Sequence, residues 1–193
     1  MRLMIGTAAA FLTVACGDMS TNTTNLSPGN ELGDDVAAGN AAAAVVPTAA
    51  EYVTKAAGSD LYEIEAAGLA EQKAANPEIR VLAVMIRDDH RRSTEQLTAA
   101  AGQMQPPMPV TPALDPAQQA EIEALRGATG PAFDQEYLRQ QIAAHEAALA
   151  MVEGYAQSGD NEALRQHASS VAATIRQHLE RARALNAPPP TAQ

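Results

Sequence analysis

Between Leu164 and Leu185 the apolar residues fall at Leu164, Ala168, Val171, Ile175, Leu179, Ala182 and Leu185. Steps of three and four place them on one stripe of a helix, and such a stripe is stable only when other helices cover it. Two more stretches share this spacing. One runs Ile79, Leu82, Met85/Ile86, Ser93, Leu97, with polar Asp89 and His90 interrupting it; the other runs Phe133, Tyr137/Leu138, Ile142, Leu149, Val152, Tyr155. Each stripe carries a histidine near mid-length: His178, His90 and His145. No alternating β-branched run suggests a sheet.

Capping chemistry marks where these helices begin and end. Thr48-Ala49-Ala50-Glu51 is a capping box, and the first long helix is expected from there to about Ala75. Its inward candidates are Tyr52, Val53, Ala56, Leu61, Ile64, Gly68 and Leu69, and Gly58-Ser59-Asp60 is a point where it could bend. Asn76-Pro77-Glu78 stops that helix and starts the second, which runs to about Ala101. Four prolines between Gln105 and Pro112 forbid helix there, and Asp115-Pro116 caps a short helix ending near Arg126-Gly127. A third long helix is expected from Pro131 to Gln157 and a fourth from Ser158-Gly159-Asp160 to Asn186. The expected fold is therefore an all-α four-helix bundle over residues 48–186. Residues 102–130, between the second and third long helices, suffice to run the length of a bundle. That permits a ferritin-like arrangement with those two helices parallel; simple up-down-up-down remains open.

The chain begins with Met1-Arg2 and an apolar run, Leu3 to Ala15, too short to span a bilayer. Residues 1–15 read as a secretory signal peptide. The run ends in Leu12-Thr13-Val14-Ala15-Cys16-Gly17, which resembles a bacterial lipobox, although Thr13 stands where leucine is usual. The lipobox reading makes Cys16, the single cysteine, the lipidation site and the anchor to a membrane. It places the protein in the bacterial cell envelope, in the periplasm or at the outer membrane. Plain secretion and a buried cytosolic cysteine are the alternatives. Residues 16–47 lack hydrophobic period and basic charge and read as an unfolded tether spanning about 30 Å; residues 187–193 form a tail. The net charge of -10 argues against nucleic acid as a partner. Alanine-rich faces, which let helices approach closely, leave homo-oligomerisation open.

The folded part resembles the bacterial exported proteins of domain-of-unknown-function family 4142, a ferritin-like bundle family. The resemblance lies in Glu63-Ile64-Glu65 followed by Ala66-Ala67-Gly68-Leu69-Ala70, in Met85-Ile86-Arg87-Asp88-Asp89-His90 with Leu97, in Phe133-Asp134 with Tyr137, in Ala144-His145 and in His178-Leu179. It implies the fold and an exported location and brings no established activity. Where the family usually has a Leu-Pro-Thr-Leu kink, this chain reads Ala172-Ala173-Thr174-Ile175, which implies a straighter last helix.

Counted from the helix ends in a ferritin-like arrangement, Glu65, His90 and His145 fall in one layer, with Asp89 beside them and His178 about a turn away. Imidazole and carboxylate together suit a transition metal such as Zn, Fe, Cu or Mn. A standard di-iron site is not expected: that chemistry uses Glu-x-x-His on two helices, and the residues three before these histidines are Arg87, Ile142 and Ile175. Three readings stay open: a polar network in which the histidines bond Asp89, Glu65 or Tyr137; a metal site built from Glu65, Asp89, His90, His145 and His178; and a protonation switch. Met104 and Met108 in the proline-rich loop are weak Cu(I) candidates. His167 is expected to face solvent, Asp134 to complement a helix dipole, and Tyr137 to be a core aromatic whose hydroxyl needs a partner. No phosphate loop, nucleophile elbow or zinc-protease motif occurs. A non-enzymatic binding or envelope stress-protection role is favoured over catalysis, with metal storage or oxidation as the alternative.

Overall fold

A computed structural model describes residues 46–188. The signal segment, Cys16, residues 16–45 of the expected tether and residues 189–193 of the tail lie outside the described residues. Five helices occur among those described: α1 (Ala49–Lys73), α2 (Pro77–Gly102), α3 (Pro116–Gly127), α4 (Gly130–Ser158) and α5 (Glu162–Asn186). The starts of α1, α2, α3 and α5 are fixed by side chains that take orphan amides. Thr48 and Asp115 form capping boxes with Glu51 and Gln118, and Asn76 and Asn161 cap α2 and α5.

Cross-helix contacts give the topology. Tyr62 on α1 donates to Gln140 on α4 at 2.8 Å, and the Ala75 amide just past α1 donates to Asp134 at 2.9 Å near the start of α4. These helices are thus antiparallel. Between α2 and α5, His178 meets Asp89, and His167 meets the Ser93 carbonyl, so residue numbers again run in opposite directions. With α1 and α2 joined by a short turn, α2 and α4 are parallel. This is the ferritin-like arrangement of a four-helix bundle. The α2–α4 connection carries α3 across α1 and α4, with Ile122 and Leu125 buried beneath it.

The connection also accounts for Gly58. Helix α1 runs unbroken through Gly58-Ser59-Asp60. A Cβ at Gly58 would stand 2.8 Å from the Ala113 carbonyl oxygen, so glycine there lets the loop pass close. Asp134, expected to complement a dipole, accepts from the Ala75 and Asn76 amides at 2.9 and 2.8 Å and ties the α1–α2 turn to α4.

The core has two apolar parts. One gathers Tyr62, Ala66, Ala70, Ile79, Leu82, Phe133 and Ala182 at the α1–α2 turn end. The other gathers Tyr52, Val53, Leu97, Val152, Tyr155 and Leu164 at the opposite end. Between them lies a layer of buried polar side chains that includes Asp60, Glu63, His90, Gln141, His145 and His178. Among the described residues, no helix is long and apolar enough to cross a membrane.

Candidate metal centre

The polar layer takes one histidine from each of three helices: His90 from α2, His145 from α4 and His178 from α5. Their exposures are 6%, 2% and 1%. One ring nitrogen from each lies within 4.8 Å of the other two.

Hydrogen bonding fixes which nitrogens face inward. His145 Nδ1 lies 2.9 Å from the Gln141 carbonyl, which can only accept, so Nδ1 carries the proton and Nε2 a lone pair. His90 Nδ1 donates to Asp60 Oδ1 at 2.8 Å, and Thr94 donates to the other Asp60 oxygen at 3.1 Å. His178 Nε2 donates to Asp89 Oδ2 at 2.9 Å. The remaining nitrogens are His90 Nε2, which is buried with no partner, and His145 Nε2 and His178 Nδ1, which face each other at 3.2 Å. With all three outer bonds made, neutral rings have no proton left to place between them. The inner nitrogens therefore call for a cation.

A metal ion fits that demand. Two imidazole nitrogens each about 2.0–2.1 Å from one tetrahedral ion stand roughly 3.3 Å apart, close to the observed 3.2 Å. The outer bonds to carboxylate or carbonyl are those that orient metal-bound histidines. Burial holds the His145 pKa down to about 3, helped by the charge of His90, so its ring stays neutral and able to ligate. For His178, burial outweighs the bond to Asp89 and holds the pKa down to about 4. Burial also lowers His90, but its bond to Asp60 and the charge of Glu63 outweigh this and raise it. A proton on His90 is thus the natural competitor of an ion.

Glu63 stands beside the layer. Its Oε1 is 3.6 Å from His145 Nδ1, and its Oε2 is buried without a partner. Burial raises its pKa against the opposing pull of His90. Asp89 is pushed up by burial but lowered on balance by hydrogen bonds from His178 and Arg92.

A family model matches residues 35–185, most of the chain. The chain belongs to the DUF4142 family, a domain of unknown function. No curated protein matches it. Among solved structures, this DUF4142 chain is similar to "CopM in the Cu(I)-bound form", at 22% identity and TM-score 0.60, over 72% of this chain and 94% of that one. It is also similar to "CopM in the Cu(II)-bound form", at 20% identity and TM-score 0.62, over 74% and 97%. The apo form gives 23% and 0.59, over 72% and 95%. At such identities the likeness shows the shared bundle fold.

Within this DUF4142 bundle the sequence-predicted residues divide. His90, His145 and His178 converge, with Asp89 bonded to His178. Glu65 does not join them: its side chain is 37% exposed and lies 3.8 Å from Arg126 of α3. Two residues along a helix is a turn of about 200°, so Glu63 points inward while Glu65 points to α3. His178, expected a turn away, sits in the layer, with its ring centroid 5.3 Å from that of His145 and 5.7 Å from that of His90. His167, expected in solvent, is buried; its Nε2 donates to the Ser93 carbonyl at 3.3 Å and its Nδ1 accepts from Tyr52 at 2.8 Å. Tyr137 is buried as expected, and its hydroxyl has no partner. Met104 and Met108 pack against the core cluster at the Tyr52 end.

Asp60 and Glu63 are the residues that sequence reasoning missed. Both lie on the heptad Val53, Ala56, Asp60, Glu63, Ala67, Ala70, Ala74, which is buried throughout. The bulkier Leu61, Ile64 and Leu69 drew attention away from it, and they are only half-buried.

Proposed function

We propose that this chain is a metal-binding protein of the bacterial envelope that holds one transition-metal ion between His90, His145 and His178. The observation that carries the reading is the set of three inward lone pairs whose outer nitrogens are already bonded to Asp60, Gln141 and Asp89. Three neutral imidazoles suit copper and zinc, and copper leads the divalent affinity order. Similarity to a bundle whose structures are described as Cu(I)-, Ag- and Cu(II)-bound supports testing copper first. Within the site Asp60 and Asp89 orient two rings, the Gln141 carbonyl orients the third, and the Glu63 carboxyl group stands beside them. When bound, copper brings redox chemistry, and burial of the three rings limits its contact with other molecules. Sequestration of this kind is itself a form of envelope protection.

Copper, zinc and silver titrations of the full chain purified without an affinity tag test the reading. One tightly held ion per chain and a raised melting temperature are expected. No bound ion and no thermal shift with any of them would leave the layer as a polar network that specifies helix pairing. The lipobox supports anchoring through Cys16, and Cys16→Ser is expected to release the protein from membranes and change its mature mass. Unchanged fractionation and mass would exclude the lipid anchor.

A further inference from the structure

The three histidines are too buried for an ion to reach them without a path. A cavity of about 150 Å³, walled by α1, α2, α4 and α5, adjoins His90 and His178, and its exposed lining residues, Arg92, Gln96 and Ser170, lie on α2 and α5. Its floor includes His90, His178 and their carboxylate partners Asp60 and Asp89. Its rim includes exposed Gln96 and Ser170 and half-buried Val171 and Thr174. A second cavity, of about 480 Å³, lies beside Tyr62, Ala144 and Ala147; it shares Ser59, Ala148 and Met151 with the first, and none of the three histidines lines it.

Asp89 joins rim to floor. One carboxylate oxygen accepts from His178 Nε2 at 2.9 Å, and the other is paired with Arg92. The Arg92 side chain is 67% exposed against 16% for Asp89. An ion pair with one partner so exposed is weak and is screened by salt, so Arg92 leaves Asp89 at little cost. Asp89 lines the cleft, and its carboxylate is one histidine ring away from the inner nitrogens.

We infer that metal ions reach and leave the site through the α2–α5 cleft, landing first on Asp89, with Arg92 as the cation that guards it. This rests on the metal-binding reading above. The rim then governs rates, while the histidines govern affinity.

The test mixes the full chain with Cu(II) in stopped flow and follows quenching of tyrosine emission, which the absence of tryptophan leaves unmasked. Release is followed into excess EDTA. Thr174→Phe and Val171→Phe narrow the cleft; each is expected to slow uptake and release together, by about tenfold, with the dissociation constant nearly unchanged. Ala147→Phe, in the other cavity, is expected to leave both rates as they were. Arg92→Gln is expected to quicken uptake several-fold at low salt, and the gain should fade as salt is added. Because Arg92 is exposed, that variant keeps the test alive if a cleft variant misfolds. Wild-type rates in the cleft variants and in Arg92→Gln would overturn the route, as would slowing by Ala147→Phe. So would a changed dissociation constant without matched changes in the two rates. A wild-type chain that takes up no copper would instead remove the metal-binding reading itself.

Discussion

His167 and the His90/His145/His178 cluster are one residue type at similar burial in one bundle, yet they are chemically opposite. His167 has each nitrogen satisfied, one by the Tyr52 hydroxyl and one by the Ser93 carbonyl. The three clustered rings are satisfied only on their outer sides, and their inner nitrogens are buried against one another. Burial therefore does not mark a ligand. An unspent lone pair does, because a buried acceptor without a partner is costly unless something positive meets it.

The contrast breaks most visibly under alanine substitution. His90→Ala or His145→Ala is expected to weaken copper binding by more than about 100-fold, whereas His167→Ala leaves the dissociation constant within about twofold. Titration calorimetry on the three variants decides it; a large loss in the His167 variant would erase the distinction. Next in size are the orienting carboxylates. Asp60→Asn and Asp89→Asn keep the shape but weaken the acceptor that fixes each ring, and a loss of about 10–100-fold is expected for each. Equal affinity in both would mean that the outer bonds do not set the tautomers. The satisfied histidine should show itself in stability instead. Tyr52→Phe leaves His167 Nδ1 buried without a donor and should cost about 1–3 kcal/mol in chemical denaturation, with copper affinity unchanged.

Smaller effects follow from protonation in the metal-free protein. His145, His178 and His167 all have lowered pKa values, chiefly through burial. A histidine with a lowered folded pKa binds fewer protons folded than unfolded. Its contribution is therefore intact above the unfolded value of about 6.5 and is lost as pH falls towards the folded values. Melting temperatures should thus decline from pH 6.5 to pH 4, the raised His90 and Glu63 opposing the three lowered histidines, and a rise would contradict the burial-driven shifts. Glu63 runs the other way. Its pKa is raised from 4.5 by burial, so its stabilising contribution is intact below that value and is lost as pH rises through the folded value. Glu63→Gln should therefore raise the melting temperature by a few degrees at pH 7 and hardly at all at pH 4.5; a loss at pH 7 would show that its charge is needed.

The bundle itself was legible because helix starts are local chemistry. Thr48 with Glu51, Asn76 with Pro77 and Asp115 with Pro116 each cap a helix by contacts within a few residues, whereas the cap of α5 is Asn161, just past the Ser158-Gly159-Asp160 expected to start it. The histidines stood out as polar breaks in apolar stripes. The acids were harder to place. On α1 the inward stripe is mostly alanine, so apolar bulk pointed to the wrong face and selected Glu65 over Asp60 and Glu63. Which ring nitrogen is free depends on partners as distant in sequence as Asp89 is from His178. No local pattern holds that information.

The three inward rings belong to three helices that meet only when the long α2–α4 crossover is in place. An unfolded chain cannot assemble them, so an ion held there acts as a removable cross-link on the folded state alone. At a thousand times its dissociation constant such an ion adds about 4 kcal/mol to folding stability. If the site binds an ion as proposed, the chain is expected to open more often and be cleaved sooner in metal-poor surroundings and to persist in metal-rich ones. Half-lives under a nonspecific protease, with and without copper, would measure that coupling directly.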